Sequence, residues 1–413
     1  MSNIANLKSY LIQDDGYLFN DTNNGSVVML SGVWGSGKTH FWKNTIEPEL
    51  SELKNKERAY VYVSLYGKES LESIKNEILL KAYESVKEEN PNLKKTIAAF
   101  DYFNNKVSFS LFGAKIDSKS IGSDLKKLLY ENKKFDEAKE FLLNGGVICF
   151  DDFERKSEKI SLNDLFGFIS QLSEEMKCKI IIILNSDVFE GKEAVTFRSV
   201  KEKTVNKFLY FSPLITELLD VIFSNQKYES LIPYKDEIFS QIELTKELNA
   251  RIYIQVLDNC LEWITKGYQK DALKALIIVS TFFSKYHVDL NCKIINDDIK
   301  IYSVSDYFWK QGYYDIANFL TRQAPQIFSD KKTPVDEAIQ MLMTSINKEK
   351  TDAKDKTSDD YKKRQNEEIE IHRDMIRDFI RYIVIDEVDS NLDKEIYIEV
   401  NNFVKTGILL RSE

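Results

Sequence analysis

Cysteine and histidine are scarce in this chain. Its 413 residues hold four cysteines (Cys149, Cys178, Cys260, Cys292) and three histidines (His40, His287, His372). No two cysteines form a C-x-x-C pair and no histidine stands at ligand-like spacing from them, which argues against a zinc site. Cys149 and Cys178 sit in or beside apolar runs, where small core residues belong, and the pattern suits a reducing cytoplasm. No run of eighteen apolar residues exists, and Met1-Ser2-Asn3-Ile4-Ala5 opens the chain without a basic region and apolar core. The expectation is a cytoplasmic protein with no part in a membrane. Positive charge is in deficit too: 57 Lys and Arg against 66 Asp and Glu give a net charge of −9. That balance argues against nucleic-acid binding by the whole surface, although a local basic patch is compatible with it. No repeat of fixed period is present. The catalytic-loop and metal-loop signatures of a protein kinase are missing, and no nuclease, protease or deaminase constellation is visible.

What is present reads as globular: 43% of residues are apolar and 30% charged. The length allows roughly two to three domains. The 25 Phe and 21 Tyr are ascribed to core filling rather than to a platform for stacking bases.

One stretch organises the rest. Gly32-Val33-Trp34-Gly35-Ser36-Gly37-Lys38-Thr39 matches G-x-x-x-x-G-K-[ST], the phosphate-binding loop. Val27-Val28-Met29-Leu30 before it suits a buried parallel strand, and Thr39 to Leu50 can continue as a helix, with Pro48 its first breaker. Strand, loop and helix together give the pattern its physical meaning. The glycines Gly32, Gly35 and Gly37 free the backbone, whose amides converge on a phosphate at the positive end of a helix. Lys38 is expected to reach the β- and γ-phosphates and the Thr39 hydroxyl to ligate Mg²⁺. Trp34, Ser36 and His40, in and next to the loop, join the nucleotide-binding candidates.

Further strands and helices follow. Ala59 to Leu65 is β-branched and aromatic, and a helical pattern runs from Ser70-Leu71 to about Lys87. Residues 91–123 are weaker, with an alternating run at 107–112 read as an insertion or hairpin. Gly146-Val147-Ile148-Cys149-Phe150 then ends in Asp151-Asp152-Phe153-Glu154-Arg155. An apolar strand tipped by acids is what a Walker B element requires. Asp151 would hold the Mg²⁺ shell. Asp152 is the first candidate for the acid that orients or deprotonates water, and Glu154 the second. Lys179 to Leu184 is a buried strand ending in Asn185, which suits either a γ-phosphate sensor or a turn cap. Arg198, Lys201, Lys203 and Lys207 form a basic cluster, mostly a solvated helical face, in which Arg198 is the candidate arginine finger. After Pro213 the pattern is helical: Leu214–Asn225, Leu248–Trp263, Leu273–Phe283, Val304–Phe319, Asp374–Val388 and a final helix from Lys394 to Leu410. Residues 345–373 are densely charged with mixed signs and read as a loop joining a helix.

Four segments together resemble the KAP P-loop NTPases. The loop is similar to that family's GxWGSGKT, Val61-Tyr62-Val63-Ser64-Leu65-Tyr66-Gly67 to its second strand, and Phe150-Asp151-Asp152-Phe153-Glu154-Arg155 to its DD-x-(D/E)-R segment. Asn249-Ala250-Arg251 resembles the N-P-R triplet of a helical lid, with Ala250 in place of Pro, and makes Arg251 a second sensor. The resemblance covers about residues 20–260. It implies an additional-strand ATPase core, ATP and Mg²⁺ as cofactors, and a role in bacteriophage exclusion. Many KAP proteins carry transmembrane helices in the ATPase domain; none is expected here.

The expected fold is therefore α/β. A three-layer P-loop NTPase core around a parallel sheet occupies 1–212, a helical lid 213–265, and a helical region for sensing or partner binding 266–413. The expected function is an ATP-driven switch or assembly ATPase in phage defence, acting through self-association or an effector partner. The alternative is a nucleic-acid motor or loader, which a basic groove and salt-dependent DNA binding would favour. A kinase would need an acceptor site and a catalytic base that the sequence does not offer.

Overall fold

The computed structural model describes residues 2–13, 16–86, 140–268, 270–287, 292–295 and 298–301, and near the end 308–310, 314, 316–317, 367, 371–376, 378 and 394–409. The alternating run at 107–112 and the charged segment 345–366 lie outside the described residues, as do most of 304–319 and 377–388. Two compact units are present, Met1–Leu214 and Ile215–Glu413.

The first unit is built on five parallel strands: β1 (Val27–Ser31), β2 (Tyr60–Ser64), β3 (Val147–Asp151), β4 (Lys179–Leu184) and β5 (Lys207–Tyr210). Their spatial order is β2-β3-β4-β1-β5, all pairs parallel. β4 thus lies between the loop strand β1 and the acid-tipped strand β3, which is the additional-strand arrangement.

Alternation along the strands divides the core in two, because successive side chains leave a strand on opposite faces. Val27, Met29, Ile148, Phe150, Ile180 and Ile182 pack in one core with Ile74 and Ile78 of α3 (Leu71–Val86). Leu165, Ile169 and Leu172 of α4 (Leu162–Glu174) join the same core. Val28, Leu30, Val147, Cys149, Ile181 and Ile183 face the other way. They pack with Leu7 and Leu11 of α1 (Asn3–Ile12) and with Phe41 and Trp42. Helices cover both faces, so the central strands read as unbroken apolar runs. The Cys149, Cys178 and Cys260 thiols are buried and free; burial pushes the Cys178 thiol up to about 12 and raises the other two as well.

Two elements differ from the sequence reading. The helix after the loop is α-helical only over α2 (Lys38–Phe41), continuing as a π turn (Trp42–Ile46) and a 3₁₀ segment (Glu47–Lys56). Pro48 has no N–H for the Asn44 carbonyl and its ring crowds that position, while the widened turn brings both Trp42 and Ile46 into the core. β5 was not expected. Between β4 and β5 runs α5 (Gly191–Thr204), which carries most of the basic cluster.

The second unit has its own core, in which α6 (Ile215–Phe223), α7 (Lys235–Thr245), α8 (Ala250–Thr265), α9 (Leu273–Tyr286) and α10 (Lys394–Thr406) contribute Leu219, Ile238, Val256, Leu276 and Phe403. A short antiparallel hairpin, β6 (Cys292–Ile295) with β7 (Asp298–Ile301), follows α9. Among the described residues no helix is long and apolar enough to cross a membrane.

Candidate nucleotide site

Parallel pairing brings the carboxyl ends of the strands to one edge: Ser31 is level with Leu184, and Ser64 with Asp151. Open α/β sheets bind ligands at this edge. The loop after β1 turns there by backbone conformations that a side chain would oppose. Gly37, in the left-handed region at φ 93°, is the N-cap of α2. At Gly32 the limit is space, since a Cβ would stand 2.5 Å from the carbonyl oxygen of Phe211. Ser36 is buried, and its hydroxyl donates to the Val33 carbonyl at 2.8 Å. Lys38 is only 8% exposed. Its ammonium donates to the Gly32 and Val33 carbonyls at 2.7 and 2.9 Å, so the cation lies on the loop itself. His40 is exposed on α2, its carbonyl accepting from the Asn44 side-chain NH₂ at 3.0 Å.

Opposite the loop stands Asp151. Its Oδ2 accepts from the Thr39 hydroxyl at 2.7 Å and from the Tyr62 hydroxyl at 2.6 Å, and its Oδ1 from the Asp152 amide at 2.7 Å. Burial and the bond to Asp151 hold the Tyr62 phenol far above its ordinary value, so it donates. Among the described residues no three His, Cys, Asp or Glu side chains gather that could hold a metal by themselves. One hydroxyl facing one carboxylate is a hard-oxygen set, and it fits Mg²⁺, which keeps several waters and takes its remaining ligands from few protein groups and from phosphate.

The two candidate bases are held differently. Asp152 takes a left-handed backbone (φ 52°, ψ 38°), a conformation that Asp tolerates better than most residues. Its carboxylate is engaged at both ends, accepting from the Ser64 hydroxyl at 2.8 Å and from the Arg155 guanidinium at 3.3 Å. The 3₁₀ turn that follows (Phe153–Arg155) buries Phe153 and places Glu154 beside the loop. Glu154 Oε1 accepts from the Trp34 indole N–H at 2.7 Å, whereas Oε2 is buried with no hydrogen-bond partner. Burial raises the Glu154 carboxyl above its ordinary value. Its own amide, the Trp34 bond, the Lys38 charge and the Asn185 amide pull the other way, the amides from outside hydrogen-bond geometry. A buried, incompletely bonded carboxylate beside a phosphate-loop lysine is suited to accept a proton. Glu154 thus keeps one oxygen without a partner, whereas Asp152, the first candidate in the sequence, has both engaged.

Asn185 is nearly buried at the end of β4 and caps the next turn, its carboxamide oxygen accepting from the Asp187 amide at 3.2 Å. The cap occupies the oxygen and leaves the NH₂ group as the part that could meet a phosphate. Arg198 is exposed on α5, and its guanidinium makes no hydrogen bond or ion pair among the described residues. Arg251 belongs to the second unit. There Asn249 is the N-cap of α8, accepting from the Arg251 amide at 3.0 Å, and Ala250 takes the first helical position, where Pro would also fit. The Arg251 guanidinium is exposed. Sequence reasoning missed Tyr62 and Ser64; only their alternation on β2, which puts both on the face toward β3's acids, could have flagged them.

Among curated proteins no sequence match is found. Two solved structures show loose likeness. Cdc6p from Pyrobaculum aerophilum is 13% identical at a TM-score of 0.33, over 62% of this chain and 60% of that one. A DNA replication initiation factor is 14% identical at 0.32, over 84% and 91%. The chain thus spans less than two thirds of the Cdc6p structure, and overlap this loose carries no argument about function. The match to a family is of another order: residues 2–216, more than half the chain, fit the KAP family P-loop domain. With the loop, the additional-strand sheet and the acid-tipped strand in place, the chain belongs to the KAP family of P-loop NTPases.

Proposed function

We propose that the chain binds ATP with Mg²⁺, hydrolyses it, and uses the cycle as a switch for assembly or for an effector partner. The observation that carries the reading is the 2.7 Å bond between Thr39 and Asp151, which sets a hydroxyl and a carboxylate at the mouth of the phosphate loop. In this reading the amides of Gly32, Trp34, Gly35, Ser36, Gly37, Lys38 and Thr39 hold the phosphates, with His40 at the rim. Lys38 leaves its loop carbonyls for the β- and γ-phosphate oxygens. Thr39 and Asp151 hold the ion, and Tyr62 keeps Asp151 oriented when Thr39 turns away. When bound, Mg²⁺ neutralises charge on the phosphate oxygens. Glu154 accepts a proton from water as the water oxygen bonds the γ-phosphorus and the bond to the β-bridging oxygen breaks, giving ADP and phosphate. Asp152, tied to Ser64 and Arg155, shapes the turn that presents Glu154.

Asn185 is assigned the sensing of the γ-phosphate. Arg198 is assigned the finger supplied to a neighbouring copy, and Arg251 the distinction of triphosphate from diphosphate. Residues 1–212 act as the ATPase core, 213–265 as the lid, and 266–413 as the part that receives the signal. The role in bacterial phage defence rests on the family resemblance alone; plaque counts on cells carrying the wild-type protein or Lys38→Ala test it. For the activity itself the test is phosphate release from Mg-ATP. Wild type turns over and folded Lys38→Ala does not; equal turnover in both would overturn the reading.

A further inference from the structure

Trp34 is 55% exposed, in the middle of the phosphate loop, and so contributes little core. Its one polar atom can only donate, and it donates to Glu154 Oε1 at 2.7 Å, across 120 positions of sequence. Because Oε1 is taken by the indole, Oε2 is left as the buried, unbonded oxygen.

We propose that Trp34 is the positioning residue for Glu154: the indole N–H fixes the carboxylate so that Oε2 faces the water, and ties the base to the loop that holds the phosphates. This rests on Glu154 being the base. A donor on the first oxygen fixes the rotation of the carboxyl group, which Glu otherwise leaves free about its terminal torsion. The same donor stabilises the charged form against burial, which works to discharge it. Any movement of the loop on binding nucleotide moves the donor as well, so occupancy of the loop and readiness of the base are set together.

The experiment compares wild type, Trp34→Phe and Glu154→Gln, each checked for cooperative unfolding at a temperature no lower than that of wild type. The readouts are affinity for a fluorescent ATP analogue, single-turnover hydrolysis, and the pH profile of the rate. Trp34→Phe keeps an aromatic ring and loses only the N–H. Its affinity is expected within about twofold of wild type and its rate to fall about tenfold or more, the worth of a hydrogen bond to a charged group. The acid limb of its pH profile is expected to move to higher pH, because the charged carboxylate has lost a donor. If Trp34→Phe instead loses affinity at an unchanged rate and unchanged acid limb, Trp34 is a nucleotide contact and the proposal falls. If rate, affinity and limb are all those of wild type, it also falls. Glu154→Gln separates this failure from that of the base: a hydrolysing Glu154→Gln removes the base itself, whereas an inactive Glu154→Gln beside a normal Trp34→Phe removes only the role of Trp34.

Discussion

The Thr39 hydroxyl and the Asp151 carboxylate meet at 2.7 Å although 112 positions separate them in the chain. The pairing has a consequence that depends on metal. Asp151→Asn keeps the shape and the Tyr62 donor but removes the charge that orders the ion's shell. Nucleotide affinity in the presence of Mg²⁺ should fall about tenfold or more, as for other groups that support a metal's ligands, while affinity in excess EDTA stays at the wild-type value. An equal loss with and without Mg²⁺ would show that Asp151 serves the loop's structure instead.

Gly32 is limited by space rather than by torsion. A methyl group there would meet the Phe211 carbonyl oxygen at 2.5 Å, a backbone atom that cannot swing away. Gly32→Ala should lose nucleotide binding and cost about 1–3 kcal/mol of stability, in the range of overpacked sites. Denaturant unfolding with a parallel binding titration checks both. Wild-type stability and binding would mean that the end of β5 yields.

Glu154 should exact a cost in stability that depends on pH. Its folded carboxyl lies above the ordinary value of 4.5, chiefly through burial. The fold thus prefers the protonated form: the favourable contribution is complete below pH 4.5 and is lost as the pH rises through the folded value. Glu154→Gln, neutral throughout, should melt higher than wild type at pH 7 to 8 and lose that advantage toward pH 4. Equal melting across the range would mean that the surrounding amides, Lys38 and Trp34 fully offset burial.

Arg251 gives a prediction about the second unit. Hydrogen-exchange protection of residues 261–413 should differ between an ATP analogue and ADP in wild type, and Arg251→Ala should erase the difference, because only the triphosphate carries the charge that the guanidinium is assigned to sense. An undiminished difference in Arg251→Ala would take Arg251 out of the mechanism.

Much of this was legible in the sequence, for reasons particular residues show. Ile180 to Leu184 is buried from both sides of the sheet and so reads as a strand without context. The loop glycines are legible because the backbone geometry admits few substitutes, and Asp151 because an acid at the tip of an apolar strand stands out locally. β5 was not legible: Phe208-Leu209-Tyr210-Phe211 is a short apolar run without alternation, which periodicity alone does not tell from a helical segment, and at the sheet's edge Phe208 and Tyr210 remain exposed. The order proposed for Asp152 and Glu154 was hidden as well. It depends on the left-handed turn at Asp152, which hands that carboxylate to Ser64 and Arg155, and on an indole 120 residues away. Contacts of that kind belong to the fold and leave no local pattern.

The most direct test of a phosphate loop served by Glu154 is single-turnover hydrolysis with ATP affinity, measured side by side in Glu154→Gln and Asp152→Asn. The account predicts that Glu154→Gln binds Mg-ATP as tightly as wild type and fails to cleave it, with a loss of about 10²-fold or more, the usual contribution of a positioned base. Asp152→Asn, which keeps an acceptor for Ser64, should bind normally and retain most of its rate. An active Glu154→Gln beside an inactive, ATP-binding Asp152→Asn would contradict the account.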